Sequence, residues 1–455
     1  METHPASFRD PDARVVTHDG RIFRVFTPDG AKRWADFERT GLPAKLVADG
    51  RMVASTPASL PGHDGLVLEH PRLPFVSYAY EWTFGMLRAA GLLQLDLALE
   101  ALEKGYILKD ATPYNVLFAG PRPTQVDTAS FEELPDGAPW TAYTQFTRLF
   151  YNPLLLTALT GVAHHPLLRG RLDGLPAEEL SALLPLRKKL RRGVFTDVLL
   201  QGWLNKKLAT ASGAFADAAK AAKISRDQVR GLLTRLRRGL ERLTAGPPRS
   251  MWSRYEQECS IDAAALAFKD QVVEKALDAA AGKTVWDLGA NAGRYSAMAA
   301  KKAKVVVSFE RDPDACEILY GRALERKLDN VHPVVMDLMD PSPGLGWNGE
   351  ERGGLASRGK ADFALCLALI HHLSVGAGLP LPKFFDWLGR STDAGLIEFV
   401  PKDDHKVRQL LKWKKDVYPD YTQAVFEAEL GRRFKILERV GLPGNTRLLY
   451  RFSRL

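Results

Sequence analysis

The sequence predicts an α/β protein: a parallel-sheet domain in the C-terminal half, preceded by an α+β domain, with a basic helical insert between them. Three observations carry this. The stretch Lys283 to Glu310, KTVWDLGANAGRYSAMAAKKAKVVVSFE, holds two short apolar runs, Thr284–Leu288 and Val305–Phe309, of the length and composition of buried parallel strands. Between them a glycine turn from Gly289 to Gly293 leads into a helix-forming run, so the stretch reads as one βαβ unit ending in an acid, Glu310. Finally, Gly246-Pro247-Pro248 closes a strongly basic segment and is the best linker in the chain. These features predict domains at residues 1–175, 176–248 and 249–455.

In chain order, RVVTHDGRIFRVFTPDG pairs Asp-Gly turns with an alternating run, a hairpin signal, and residues 14–55 read as short strands. Leu66–Glu69 is a further strand candidate. Leucines at helical spacing from Leu87 to Leu102 predict a helix over Thr83–Lys104. The aromatic run Trp140–Gly161 reads as helical, with Pro153 as a break.

The formal net charge of +9 is uneven: Leu183 to Arg254 carries seventeen Lys/Arg against four Asp/Glu. Basic clusters at Arg187–Arg192, Lys206-Lys207 and Arg235–Arg238 interleave with leucines, which predicts amphipathic helices with a basic outer face. Residues 187–242 are either a solvated helical face or a docking surface for nucleic acid or another polyanion. With only Phe195, Trp203 and Phe215 as aromatics, base stacking has little support.

In the C-terminal half, Trp252–Ala281 predicts helices before the first core strand, and Pro313 opens a helix running to about Lys327. Val331–Met336, Asp362–Leu369 and Leu396–Val400 are the next strands, and Phe434–Val440 with Arg447–Phe452 predict a closing hairpin. The loop from Asp340 to Arg352 exceeds a simple connector.

At 455 residues, with 45% apolar and 26% charged residues, the composition is that of a soluble globular protein. No apolar run approaches the ~18 residues of a membrane span, and the polar start lacks a signal-peptide core. Cys259, Cys316 and Cys366 match no metal or disulfide spacing, so a reducing cytoplasm is expected.

The glycine turn reads Asp287-x-Gly289-x-x-x-Gly293. A carboxylate before the first glycine would repel a pyrophosphate but suits an ammonium, and an acid about 20 residues on accepts from ribose hydroxyls. The pattern resembles motif I of class I methyltransferases, which implies a Rossmann-like seven-stranded sheet and S-adenosylmethionine as cofactor. The resemblance places Asp287 and Gly289 near the methionyl end, Glu310 on the ribose and Asp337 on adenine, with Asn291 and Gly293 of the same turn also cofactor-binding. Strand four ends in Leu367-Ala368-Leu-Ile-His371-His372, similar to motif IV, where the backbone at Leu367 and Ala368 meets the methionyl amine. His371, His372 and Glu398 become the acceptor-side catalytic candidates. The histidine pair is alternatively structural, and no third ligand is spaced to make it a metal site.

Earlier, Asp110-x-x-x-x-Asn115 and then Asp127 resemble the catalytic core of protein-kinase-like phosphotransferases. The resemblance implies an ATP/Mg²⁺ site at Asp110, Asn115 and Asp127. The domain departs from the pattern with Leu108-Lys109 for His-Arg, Thr128 and Ala129 for Phe-Gly, no glycine-rich loop and no matching strand lysine, so it reads as degenerate. Together these motifs resemble bacterial methyltransferases similar to the rhizobial host-specific nodulation methyltransferase. The expected activity is methyl transfer to an O- or N-nucleophile of a small molecule or saccharide. The alternatives are an RNA- or ribosome-associated methyltransferase docking through the basic helices, and a cofactor-binding regulator with a pseudokinase domain. Oligomeric state has no signature in the sequence.

Overall fold

A computed structural model describes residues 1–189, 194, 223–254, 262–412 and 416–455. The clusters at Arg191-Arg192 and Lys206-Lys207, the aromatics Phe195, Trp203 and Phe215, and Cys259 lie outside the described residues. The chain divides into two compact units, Met1–Pro247 with Gly346–Arg352, and Pro248–Leu345 with Gly353–Leu455.

The first unit begins with an antiparallel sheet of β1 (Glu2–Thr3), β2 (Ala13–His18), β3 (Arg21–Phe26), β4 (Thr56–Pro57) and β5 (Val67–His70), in the order β1-β2-β3-β5-β4. The β2–β3 turn is Asp19-Gly20 with φ of 49° and 75°, the paired left-handed geometry that a two-residue hairpin needs. Residues 14–55 are not strands throughout, as expected, but include helices Pro28–Glu38 and Leu42–Ala48. The signal lay in Thr27-Pro28: the Thr27 hydroxyl accepts the Gly30 N–H at 3.1 Å, and Pro28 suits a first turn. Trp34 and Phe37, one turn apart, then face the core.

Next comes the helix Phe84–Leu102, capped by Thr83, and two small antiparallel two-stranded sheets, β6 (Tyr106–Leu108) with β9 (Phe131–Glu133) and the hairpin β7 (Val116–Ala119) with β8 (Arg122–Gln125). A small sheet with its helix, then a helical body carrying the Asp110–Asp127 sheets, is a kinase-like layout. Pro153 does not break the helical run Tyr143–Thr160, because the wider π-helical turn Thr147–Tyr151 precedes it and accommodates the ring. The basic helix Arg226–Glu241 buries Val229, Leu233, Leu236 and Leu240 and packs on Phe84–Leu102. Three of its arginines, Arg226, Arg230 and Arg237, pair with Asp136, Glu103 and Asp96.

The second unit is built on β10 (Thr284–Leu288), β11 (Val305–Glu310), β12 (Val331–Val335), β13 (Phe363–Cys366), β14 (Ala394–Phe399), β15 (Phe434–Gly441) and β16 (Leu448–Arg454). Their order is β12-β11-β10-β13-β14-β16-β15, with β16 antiparallel to both neighbours and the remaining contacts parallel. This is the Rossmann-like sheet of class I methyltransferases. Strands β11, β12 and β13 are buried at every position, as continuous apolar runs in a sheet covered on both faces require. The strand order reverses between β10 and β13, so the crevice for a ligand opens beyond the carboxyl ends of these two strands. Among the described residues, no helix is long and apolar enough to cross a membrane.

Candidate functional site

The loop after β10 is a backbone cradle. Gly289, Asn291 and Gly293 all have positive φ, at 78°, 49° and 85°. Glycine enters this region freely and asparagine more readily than most residues. A Cβ on Gly293 would meet Leu319 Cγ at 2.7 Å, so the loop closes tightly on the helix Pro313–Glu325.

Glu310, at the end of β11, accepts the Asn291 N–H on Oε2 at 2.7 Å and the Asp312 N–H on Oε1 at 2.8 Å. The Arg311 N–H also acts on this carboxyl. Burial pushes this carboxyl up to about 7, although the backbone N–H groups pull it down. Asn291 Nδ2 donates to the Trp252 carbonyl at 2.8 Å, and its Oδ1 is enclosed with no partner among the described residues.

Asp287 sits beneath the loop. It accepts the Ser296 hydroxyl at 2.6 Å, Ser296 in turn accepts from Ser308 at 2.8 Å, and burial raises the Asp287 carboxyl to about 6. Asp337 is more open, pairing with Arg311 at 3.1 Å and accepting the Met339 N–H on Oδ1.

Beyond β13, Ala368 also takes a positive φ of 49°, and its N–H donates to Glu398 Oε2 at 2.8 Å. Glu398, expected on the acceptor side, is internal instead. It is fully buried, with Lys269 Nζ at 2.5 Å and Arg447 Nη1 at 3.4 Å, and Arg447 also binds Asp404 at 2.8 Å. Burial alone would raise this carboxyl, but Lys269 and Arg447 more than offset that and hold it below the usual carboxylate range. Its partners are those of a structural carboxylate, and β14 carries it inward because every residue from Gly395 to Phe399 is buried.

His371 and His372 open the next segment, a π-helical turn over His372–Gly376 of a kind frequent at functional sites. The His371 ring is fully enclosed, and among the described residues neither nitrogen has a hydrogen-bond partner. His372 lies edge-on to Trp252, with centroids 5.1 Å apart. Burial lowers both imidazoles, His372 to about 4 and His371 well below its usual value.

Sequence reasoning missed Trp252, Ser296, Lys269 and Arg447. Lys269 had a visible signal: it shares a buried helix face with Ala265, Val273 and Ala276, where a lone lysine needs a buried acid.

In the first unit, Asn115 Nδ2 donates to the Asp110 carbonyl at 3.1 Å and to Ser130 Oγ at 3.0 Å, while Ser130 donates to Asp127 at 2.6 Å. Arg24 of β3 pairs with Asp127 at 2.7 Å, and Lys109 pairs with Asp12 at 2.7 Å. The Asp110 carboxylate accepts a long contact from Gln145, at 3.5 Å. The three candidates are thus brought together, but the Asp127 carboxylate already faces a guanidinium. Among the described residues no group of three or more His, Cys, Asp or Glu is disposed to hold a metal.

No model of a known protein family matches this chain. It is 33% identical over 456 aligned residues to the nodulation protein NoeA of Rhizobium meliloti strain 1021, covering 98% of this chain and 95% of that protein. Among solved structures, it is similar to the bifunctional kinase-methyltransferase WbdD, at 14% identity and a TM-score of 0.31, over 44% of this chain and 41% of that one. The chain therefore spans less than half of WbdD. It is also similar to a SAM-dependent methyltransferase from Aquifex aeolicus, with 18% identity, a TM-score of 0.32, and coverage of 46% and 100%. A third likeness is to the N-methyltransferase NodS from Bradyrhizobium japonicum WM9, with 13% identity, a TM-score of 0.31, and coverage of 41% and 97%. The fold of the second unit rests on its own strand order and not on these likenesses.

Proposed function

The chain belongs to the family of the nodulation protein NoeA, and on that premise we propose that its second unit transfers a methyl group from S-adenosylmethionine to an oxygen or nitrogen nucleophile of a small-molecule or saccharide acceptor. The observation that carries this is the cradle at the β10/β13 switch point, with the enclosed Asn291 Oδ1, partnerless among the described residues, and the Glu310 carboxylate.

The residues present fit the cofactor. The Glu310 carboxylate at the end of β11 suits the ribose hydroxyls, and Asp337 beyond the adjacent β12 suits an adenine amino group. The Leu367 and Ala368 carbonyls, with Asn291 Oδ1, suit an ammonium. When bound, the cofactor supplies an electrophilic methyl on a sulfonium.

This chain's own work is to position groups and exclude water, which is most of what such a displacement needs. Burial keeps His371 and His372 neutral at pH 7, each ring with one nitrogen that can accept a hydrogen bond. Bases this weak orient an acceptor O–H or N–H by accepting its hydrogen bond, and take its proton only as transfer proceeds.

The first unit is read as degenerate, because Arg24 stands against the carboxylate that would hold Mg²⁺. An RNA-docking role is less well supported, since three arginines of the Arg226–Glu241 helix are paired with acids of their own unit.

Calorimetry with S-adenosylmethionine, followed by methyl-label transfer into a fractionated lysate, tests the reading. Binding that is lost in Glu310→Ala, with label in small molecules or glycan, is the expected result. Absent binding sinks the enzyme reading, and label in RNA moves the acceptor to the nucleic-acid alternative.

A further inference from the structure

We infer that Lys269 and Glu398 are positioning residues that brace the cofactor edge, holding the left-handed Ala368 turn against the Gly289–Gly293 loop; this rests on the cofactor reading above. Ala368, at φ 49°, occupies a backbone region that L-residues keep only when their surroundings force it. The one side-chain acceptor found for its N–H is Glu398 Oε2, at 2.8 Å, and the same oxygen takes Lys269 Nζ at 2.5 Å. Lys269 therefore fixes the oxygen that fixes the turn.

The lysine also reaches the other half of the cradle. Its Nζ lies 5.3 Å from the ring centroid of Tyr295, the second residue of the helix that follows Gly293. The two halves meet directly as well: a Cβ on Gly289 would lie 3.1 Å from Leu369 Cδ1.

These charges also serve the core, since Glu398 meets Arg447 at 3.4 Å, but the contact to the Ala368 N–H is a separate one. Lys269 and Glu398 are 4% and 0% exposed, and replacing such a buried pair by apolar residues of similar volume is often neutral or stabilising. The neighbours of Lys269 on its buried helix face are Ala265, Val273 and Ala276, so methionine would fit the surroundings. What an apolar pair cannot supply is a carboxylate oxygen at the Ala368 N–H. With it, the carbonyls at Leu367 and Ala368 are aimed before cofactor arrives.

The test uses the full chain, with S-adenosylhomocysteine and S-adenosylmethionine as calorimetric probes and amide hydrogen exchange at Ala368 as a cofactor-free readout. Glu398→Leu and Lys269→Met are each expected to weaken cofactor binding about tenfold and to speed Ala368 exchange by a similar factor. Adding Ala368→Gly should recover most of the lost affinity, because glycine holds positive φ without help. Phe385→Leu, in the core of the same unit, lowers the melting temperature without changing cofactor affinity or Ala368 exchange.

A purely structural pair would behave like Phe385→Leu. Wild-type affinity and exchange in both brace variants would overturn the inference, and so would an affinity loss that Ala368→Gly does not recover. A wild-type chain that binds neither probe would instead remove the cofactor reading, while the exchange measurement still decides whether the brace exists.

Discussion

Replacing Gly293 by alanine should damage the second unit far more than the same change at Gly282. Both glycines have positive φ, 85° and 69°. For each, a left-handed alanine costs roughly 1–2 kcal/mol, offset by about 0.4–1 kcal/mol from the stiffer unfolded chain. At Gly282 a Cβ meets nothing within 4 Å, so the net loss is about 1 kcal/mol. At Gly293 the Cβ would sit 2.7 Å from Leu319 Cγ, 3.3 Å from its Cδ1 and 3.4 Å from its Cβ. That is the middle of a buried side chain and not a flexible tip, so relief requires shifting the helix Pro313–Glu325 or the loop. Overpacking of this kind adds about 1–3 kcal/mol. Urea unfolding followed by circular dichroism should therefore place Gly293→Ala about 1–3 kcal/mol below Gly282→Ala at an unchanged m-value. Cofactor affinity should fall at least tenfold in Gly293→Ala alone, because relief by loop movement displaces Asn291 from Glu310. Equal losses of stability and affinity in the two variants would refute the reasoning.

Glu310 is raised by burial from its usual 4.5 to about 7, so the folded state holds a proton that the unfolded state has lost between these values. Its contribution is present below pH 4.5 and disappears as pH rises to 7. Cofactor-free wild type should lose stability across that window relative to Glu310→Gln, and parallel stability–pH curves would contradict this. His332 has the opposite sign: burial lowers it from 6.5 to about 4, so its contribution is present above pH 6.5 and is lost as pH falls toward 4. The stability of His332→Leu relative to wild type should then improve by up to about 3 kcal/mol between pH 7.5 and 4, and a pH-independent difference would count against it. In the first unit, Arg24→Met leaves Asp127 without its guanidinium and should cost about 2–4 kcal/mol, with Asp127→Asn in the same chain restoring most of it. Additive losses in the double variant would show that the two side chains do not work as a pair.

The parts of this chain that were legible in its sequence are those set by local backbone physics. The Gly289–Gly293 turn, the acid closing β11 and the terminal hairpin all follow from residue type at short spacing, and the structure forms each of them. Where reading failed, longer-range packing overrode local pattern. The alternating run and its Asp-Gly turns make residues 14–55 read as short strands, but the Thr27 cap and the apolar spacing of Trp34 and Phe37 draw part of that stretch into helix. Pro153 looked like a breaker, yet a π-helical turn ahead of it keeps the helix continuous.

Glu398 shows why the acceptor side was harder to read than the cofactor side. An acid at the carboxyl end of a parallel strand has the same local sequence signature whether it faces a ligand or a buried cation. What separates the two is Lys269, 129 residues earlier, and Arg447, 49 residues later. Cofactor recognition rests on backbone shape, which glycine and asparagine betray within one turn of chain. The orientation of the methyl-receiving edge depends on side chains gathered from three distant elements, β14, the β15–β16 hairpin and the helix Ala263–Ala276. The same reasoning bears on His371. Its ring has no polar partner within the described residues, and a histidine kept only for packing could be replaced by an apolar side chain that avoids burying two nitrogens. Yet His371 is as enclosed as Glu398, and it is His372, partly exposed in the same segment, whose ring reaches toward the surface.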